Sequence, residues 1–237
     1  MYKSLFISDT HLGSSTVNSQ KLFDLLENIE AEQLFLVGDI VNRGASKKDP
    51  DVIRFITLIQ RKEWKIIYIA GNNEDDRVEP FNLSLSLTKE LFPKKSYIYK
   101  SGQTSIYLEH GHSFHDKGKL NRILNKGVVY LKWVLSYLKK RRKIKITTSD
   151  ALFKVKKEDF YHHYIKPFAQ KNLRHSFKFY MYNLAKKKGC SIVVCGHFHI
   201  PEDTMVQGIR YINCGDWVKN HSYVVENEEG EFFLINK

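Results

Sequence analysis

The sequence predicts an α/β fold with a largely parallel sheet. Short apolar runs of strand length recur along the first 70 residues, and amphipathic stretches of helical length separate them. The chain of 237 residues is 42% hydrophobic, which is enough to bury a sizeable core. No uninterrupted apolar run approaches the roughly 18 residues needed to cross a bilayer. A packed globular protein is therefore expected, rather than a disordered or membrane-spanning chain.

Strands and helices alternate in the first part of the chain. The apolar pattern predicts strands at 5–7, 34–37 and 66–70, and helices at 21–29 and 52–60. This order is typical of βαβ units, in which parallel strands end at the same edge of the sheet. Ligands of open α/β sheets bind at that edge, so polar residues that follow these strands are candidate site residues.

The second part of the chain contains more strands and one segment of different composition. Strands are predicted at 97–99, 105–109, 192–195, 211–213, 222–225 and 232–235. The short runs after residue 200 predict a closing antiparallel sheet. Residues 116–188 are basic, aromatic and periodic like helices, which indicates a helical cap inserted into a core made of 1–115 and 189–237.

The positive charge of the chain is concentrated in this insertion. Residues 117–188 contain 21 of the 38 Lys and Arg residues but 3 of the 26 acidic ones, and the net charge of the chain is +12. Such a segment attracts phosphates, nucleic acid or an anionic membrane surface. Three cysteines without a CxxC pair and an amino-terminal segment without signal-peptide features predict a cytoplasmic protein.

Polar residues with metal-binding side chains follow the predicted strands. They are Asp9, His11, Asp39, Asn72, His110, His197 and His199. Carboxylates mixed with imidazoles suit Mn, Fe, Zn or Mg. If the backbone is extended, the side chains at positions i and i+2 point the same way. Asp9 and His11 could then hold one ion, and His197 and His199 another. Asp39 could bridge the two ions. One such motif alone is more often a surface loop, but five at successive strand ends predict a metal centre.

These motifs resemble those of a known superfamily. The segments that carry the resemblance are 8–13 (SDTHLG), 38–39 (GD), 71–74 (GNNE), 110–112 (HGH) and 196–199 (GHFH), and they resemble calcineurin-like metallophosphoesterases. The resemblance implies a four-layer αββα sandwich. It also implies that Asp9, His11, Asp39 and His199 hold one metal, and that Asp39, Asn72, His110 and His197 hold the other.

The implied reaction is direct attack of water on phosphorus. Two divalent ions about 3.5–4 Å apart can share a hydroxide, clamp phosphoryl oxygens and spread the developing charge. Mn²⁺ is the expected metal, with Mg²⁺, Fe²⁺ and Zn²⁺ as alternatives. Asp39, Asn73 and His197 are the predicted catalytic residues.

Within the superfamily, the chain looks closest to the UDP-2,3-diacylglucosamine diphosphatases of lipid A synthesis. The basic helical insertion and the segment 211–217 (YINCGDW) carry this resemblance. It implies a lipidic nucleotide substrate and a protein that is peripheral to the cytoplasmic membrane face. The alternative interpretation of 211–217 is a simple sheet turn.

One position departs from the usual pattern. Most metallophosphoesterases have a histidine where this chain has Asn73, and that histidine assists the leaving group. Asparagine can donate a hydrogen bond but cannot transfer a proton at neutral pH. Cleavage of a pyrophosphate, whose leaving group has a low pKa, should suffer least. The alternative is a metal-binding module with weakened or lost catalysis.

Two further features concern the substrate. Arg43 and Asn73 are predicted to contact it, Arg43 because its guanidinium matches phosphate oxygens, although a surface arginine in a turn is equally compatible. An apolar stripe at 128–138 ends in the cationic run 139–143, and a second basic, aromatic run follows at 154–178. The two runs are expected to lie at a membrane interface or to line an acyl channel. The alternatives are ordinary packing of the insertion against the core and nucleic-acid binding.

Overall fold

The computed structural model describes residues 1–15, 17, 19–46, 48–74, 93–116 and 166–236, with backbone alone at 115–116 and 166–172. The strands in these ranges are β1 (Tyr2–Ile7), β2 (Ala31–Val37), β3 (Lys65–Ile69), β4 (Tyr97–Ser101), β5 (Thr104–Leu108), β6 (Ile192–Cys195), β7 (Glu202–Val206), β8 (Ile209–Asn213), β9 (Ser222–Glu226) and β10 (Phe232–Asn236). The helices are α1 (Ser19–Asn28), α2 (Pro50–Arg61), α3 (Ser113–Asp116) and α4 (Lys166–Lys187).

The strands form two mixed five-stranded sheets. The first has the order β10-β9-β1-β2-β3 and the second β4-β5-β6-β8-β7. Strands β1, β2 and β3 are parallel, as the βαβ pattern predicts, with Ile7 beside Leu36 and Val37 beside Ile69. In the second sheet β6 runs parallel to both β5 and β8. The predicted α/β sandwich is confirmed.

Two apolar cores hold these layers together. One lies between the first sheet and helices α1 and α2, and includes Leu22, Phe55 and Leu36. The other contains side chains from both sheets, among them the stacked pair Phe6 and Phe35. Strands β1 and β2 supply both cores because alternate residues of a strand point to opposite faces. Burial on both faces explains why these strands are continuous apolar runs.

Helix α2 shows how local sequence fixes an element. Asp49 caps its amino terminus by accepting hydrogen bonds from the N–H groups of Asp51 and Val52. Pro50 occupies the first helical turn, where its missing N–H is not needed. Val52 and Phe55 are fully buried on one face. This face anchors the connection between β2 and β3.

The strands after residue 200 differ from the prediction. They do not form one closing antiparallel sheet, because β7 and β8 extend the second sheet whereas β9 and β10 extend the first. Strand β7 was not predicted: its sequence EDTMV is polar, and no residue in it is fully buried. Strand β9 pairs with β1, which lies at the other end of the chain, and β8 pairs with β6 rather than with β9.

The chain divides into two compact units. One contains 1–112 and 181–237, and the other contains 113–180. In the second unit Phe114 packs edge to face against Phe177, and Ser113 and Tyr180 share a hydrogen bond of 2.9 Å. The insertion predicted at 116–188 stays a prediction, and its apolar stripe at 128–138 and cationic run at 139–143 lie outside the described residues. Among the described helices, none combines the length and apolar character needed to cross a membrane.

Candidate metal centre

The predicted ligands follow the carboxyl ends of five strands. Asp9, Asp39 and Asn72 come after β1, β2 and β3 of the first sheet. His110 follows β5 and His197 follows β6 of the second sheet. Residues more than 180 positions apart meet here, because each sheet brings its parallel strand ends to the same edge.

One cluster joins the side chains of Asp9, His11 and His199. The Oδ1 atom of Asp9 lies 3.1 Å from His199 Nε2 and 3.8 Å from His11 Nε2. The two Nε2 atoms of His11 and His199 are 3.3 Å apart. A carboxylate and two imidazoles therefore converge on a space of the size that one cation fills.

A second cluster joins Asp9, Asp39 and His110. Asp39 Oδ1 lies 3.6 Å from His110 Nε2, and Asp39 Oδ2 lies 3.8 Å from His11 Nε2. The two oxygens of Asp39 thus face histidines of both clusters. This is the arrangement required of the predicted bridging carboxylate.

Asn72 and His197 lie together beside the second cluster. Asn72 Oδ1 is 3.2 Å from His197 Nδ1. The rings of His197 and His110 are 5.2 Å apart and nearly perpendicular. His197 also donates its backbone N–H to Asp9 Oδ2 at 2.9 Å. All seven predicted ligands are therefore neighbours in one site.

The backbone of the site is strained. Seven non-glycine residues in the described ranges have positive φ, and five of them are predicted ligands: Asp9, His11, Asp39, His197 and His199. Non-glycine residues in this region are disfavoured, and such strain concentrates at functional sites. The premise of an extended backbone was therefore wrong. His197 and His199 do not form one gripping pair: His199 joins Asp9 and His11, whereas His197 contacts Asn72.

Two glycines permit the close approach of the ligand loops. A Cβ at Gly71 would overlap the backbone N and Oδ1 of Asp39, and a Cβ at Gly196 would overlap Ser8 Oγ and Asp9 Oδ2. Gly71 therefore lets the ends of β2 and β3 approach each other, and Gly196 lets the end of β6 in the second sheet approach that of β1 in the first.

The carboxylate of Glu74 connects two of these loops. One of its oxygens accepts hydrogen bonds from the N–H groups of Asp39 and Gly71, both at 2.9 Å, and the other accepts from Ile40 at 2.8 Å. Glu74 is 1% exposed. Burial and the charge of Asp39 raise its pKa. It fixes the loop after β2 against the loop after β3.

Hydrogen bonds also orient the histidines. His110 Nδ1 lies 2.8 Å from the carbonyl oxygen of Val37, which accepts a hydrogen bond from Nδ1–H and leaves Nε2 as the ligand atom. His199 Nδ1 lies 3.2 Å from Asp216 Oδ2. The Asn73 side-chain amide lies 3.2 Å from His11 Nδ1.

Charges within the site shift the pKa values of its groups. Burial opposes ionisation of Asp9, but His110 and His199 prevail and lower its pKa to about 2. Burial likewise opposes the charged form of His199, yet the carboxylates of Asp216 and Asp9, which can accept its two ring protons, raise its pKa to about 10. The carboxylates of Asp9 and Asp39 overcome burial to raise the pKa of His110. For His11, burial dominates and lowers the pKa. The carboxylates create a strong preference for positive charge.

The site fits divalent metal ions. Asp9 Oδ1 and His110 Nε2 are buried and form no hydrogen bond of good geometry. Buried polar atoms normally have a partner, so two such atoms facing the same space indicate a ligand that the protein itself does not supply. Carboxylate oxygens and imidazole nitrogens suit Mn, Fe, Zn and Mg.

Other predicted and unpredicted residues border the site. Arg43 donates a hydrogen bond from its guanidinium to the backbone carbonyl of Asn72 and remains exposed. Asn73 donates its N–H to Asp39 Oδ1 at 2.9 Å. Glu74 and Asp216 were not predicted to act at the site. Both lie inside segments that carry the family resemblance, 71–74 and 211–217, and that was the available signal.

Comparison with solved structures finds the same fold over nearly the whole chain. An archaeal phosphodiesterase is 14% identical, with 99% of both chains covered and a TM-score of 0.52. Yfce, a phosphoesterase from E. coli, is 15% identical with 98% and 97% coverage and a TM-score of 0.46. Vacuolar Protein Sorting 29 from Cryptosporidium parvum is 12% identical with 99% and 95% coverage and a TM-score of 0.47.

No curated protein sequence matches the chain. A family model described as calcineurin-like phosphoesterase matches residues 2–201. That range includes every predicted ligand and most of the residues around them. The chain therefore belongs to the calcineurin-like phosphoesterase family.

Proposed function

We propose that the protein is a dinuclear metal-dependent hydrolase that cleaves the pyrophosphate bond of UDP-2,3-diacylglucosamine or a similar nucleotide-diphospho lipid. Family membership supports metal-dependent phosphoester hydrolysis. The observation that carries the choice of a pyrophosphate is Asn73, whose side chain lies at the site, 3.2 Å from His11 Nδ1.

The proposed ligand sets are those that the family resemblance implies, and the two clusters support them together with the Asn72–His197 contact. One ion would be held by Asp9, His11, Asp39 and His199, and the other by Asp39, Asn72, His110 and His197. When bound, divalent ions polarise phosphoryl oxygens and lower the pKa of water. Mn²⁺ is the proposed metal, because it accepts carboxylate and imidazole ligands together; Mg²⁺, Fe²⁺ and Zn²⁺ are the alternatives.

The protein supplies orientation for this chemistry. The Val37 carbonyl holds a proton at His110 Nδ1, so His110 presents Nε2 to the site. Glu74 holds the loop of Asp39 against the loop of Asn72 through four backbone N–H groups. Arg43 is exposed next to Asn72 and is proposed to bind a substrate phosphate.

Asn73 determines which leaving groups are accessible. Its amide can donate a hydrogen bond to a leaving oxygen but cannot give it a proton. An alkoxide leaving group has a high pKa and needs a general acid, whereas a phosphate leaving group does not. Cleavage between two phosphates is therefore the reaction that these residues favour.

The basic segment supports a lipidic substrate at an anionic surface. Residues 117–188 carry 21 Lys and Arg residues against 3 acidic ones. Each basic residue near an anionic membrane surface contributes about 1 kcal/mol of attraction. The same charge favours a second candidate, a phosphodiesterase acting on nucleotides or nucleic acid. The archaeal neighbour is itself a phosphodiesterase.

A substrate panel with Mn²⁺ distinguishes these functions. The purified protein is assayed on UDP-2,3-diacylglucosamine, bis-p-nitrophenyl phosphate and single-stranded DNA. Release of UMP from the lipid, at a rate well above the other two, supports the proposal. Cleavage of DNA but not of the lipid refutes it in favour of the second candidate. Metal binding without turnover of any substrate indicates a module that has lost catalysis.

A further inference from the structure

The turn after β8 holds His199 at two points. Asp216 Oδ2 lies 3.2 Å from His199 Nδ1, and the Asn220 side-chain N–H donates to the carbonyl oxygen of His199 at 2.9 Å. His199 itself has a positive φ of 55°, which a non-glycine residue adopts only under constraint. Contacts to both its ring and its carbonyl keep this residue in place.

Asp216 is built into the turn through its other oxygen. Asp216 Oδ1 accepts the backbone N–H groups of Lys219 and Asn220, both at 2.9 Å, and the Asn220 side chain at 3.3 Å. The residue is 2% exposed. The two oxygens therefore have separate partners: Oδ1 closes the turn, and Oδ2 faces the imidazole.

The far side of the same imidazole faces the metal centre. His199 Nε2 lies 3.1 Å from Asp9 Oδ1 and 3.3 Å from His11 Nε2. A neutral imidazole can bind a cation through Nε2 only if its proton sits on Nδ1. A carboxylate that accepts a hydrogen bond from Nδ1–H stabilises this tautomer and makes Nε2 a better metal ligand.

We propose that Asp216 is a positioning residue that holds the His199 proton at Nδ1 and so commits Nε2 to the metal at the Asp9–His11–His199 cluster. The assignment rests on the proposed metal site. It gives the segment 211–217 a role beyond that of a sheet turn.

Asp216→Asn separates the two roles of the carboxylate. The three donors at the turn keep the amide oxygen at the Oδ1 position, so the amide NH₂ faces His199 Nδ1. An N–H directed at Nδ1 places the imidazole proton on Nε2, where it competes with the metal. The turn is retained, but the ligand is disabled.

The first measurement is titration calorimetry with Mn²⁺ on the wild-type protein and Asp216→Asn. We expect Asp216→Asn to weaken one of two binding events by about 10- to 100-fold, the usual effect of removing such a partner. The event at the other cluster shares Asp9 and Asp39 with the first and should change less. Asp203→Asn is the matched control, because Asp203 pairs with Arg210 away from the site. Equal affinity in wild type and Asp216→Asn overturns the assignment.

The second measurement needs no variant. Nitrogen-15 NMR of the wild-type protein loaded with diamagnetic Zn²⁺ should show a slowly exchanging proton on His199 Nδ1, with Nε2 shifted by the metal. Zn²⁺ on Nδ1, or no hydrogen-bonded Nδ1 proton, overturns the assignment even if Asp216→Asn does not fold. If the wild type binds neither Mn²⁺ nor Zn²⁺, the proposed metal site fails, and this role of Asp216 fails with it.

Discussion

Replacing Glu74 with alanine should loosen the loops that carry Asp39 and Asn72. The Glu74 carboxylate accepts four backbone N–H groups, three of them at 2.8–2.9 Å and that of Val41 at 3.4 Å. A buried donor that loses its partner costs about 1–3 kcal/mol. Three close donors would therefore cost about 3–9 kcal/mol in total.

Two effects place the expected loss in the lower part of this range. Water can enter the vacated space and satisfy some of the donors. Burial and the Asp39 charge raise the pKa of Glu74, so removing this charge relieves part of an unfavourable interaction. We expect Glu74→Ala to lower the free energy of unfolding by about 3–5 kcal/mol. Glu74→Gln keeps one acceptor oxygen and should lose about half as much.

The assay is equilibrium unfolding in urea of the metal-free protein, followed by Mn²⁺ titration under conditions in which each variant is folded. Glu63→Gln is the control, because Glu63 is an exposed carboxylate in the connection between α2 and β3. Both Glu74 variants should bind Mn²⁺ more weakly because Asp39 is less rigidly held. An unfolding free energy of Glu74→Ala within about 1 kcal/mol of wild type, with unchanged Mn²⁺ affinity, would refute the reasoning.

Three other changes test the site. Asp39→Ala removes the carboxylate that faces both clusters. Bound metal, measured by mass spectrometry, should fall below two ions per chain, and kcat should drop by about 10³-fold or more. Full metal occupancy with normal turnover would contradict the assigned centre. Asn73→His places a proton donor beside His11. The rate of glycerophosphodiester hydrolysis should rise by about 100-fold, while the rate of pyrophosphate cleavage stays constant. Equal effects on both substrates would show that Asn73 does not limit protonation of the leaving group. The pKa of His199 is raised to about 10 in the metal-free site, so its proton is bound at neutral pH and metal must displace it. For each proton displaced, Mn²⁺ affinity should then fall about tenfold for each pH unit between 8 and 6. Calorimetry in buffers of different ionisation enthalpy should detect the released proton. A binding heat that is the same in all buffers would exclude proton displacement.

The local pattern of the chain predicted much of the fold. Strands such as 34–37 are continuous apolar runs because both of their faces are buried, and a run of this kind is visible in sequence. The polar β7 gave no such signal, since its side chains are only partly buried. The pairing of β9 with the first sheet was also not predictable, because its partner there is β1, more than 200 residues earlier.

The candidate site was likewise predictable from the sequence only in part. The sequence by itself determined which side chains are offered to a metal, because each ligand directly follows a strand and parallel strands end at one edge. Spacing alone paired His197 with His199, whereas the family resemblance separated them. In the tertiary structure His199 joins Asp9 and His11, and His197 turns to Asn72. Positive φ angles set these directions, and they are maintained by distant groups such as Glu74 and Asp216. A strained backbone held by contacts from remote parts of the chain leaves no periodic trace in the sequence, and this is why residue spacing alone predicted the ligands but not their arrangement.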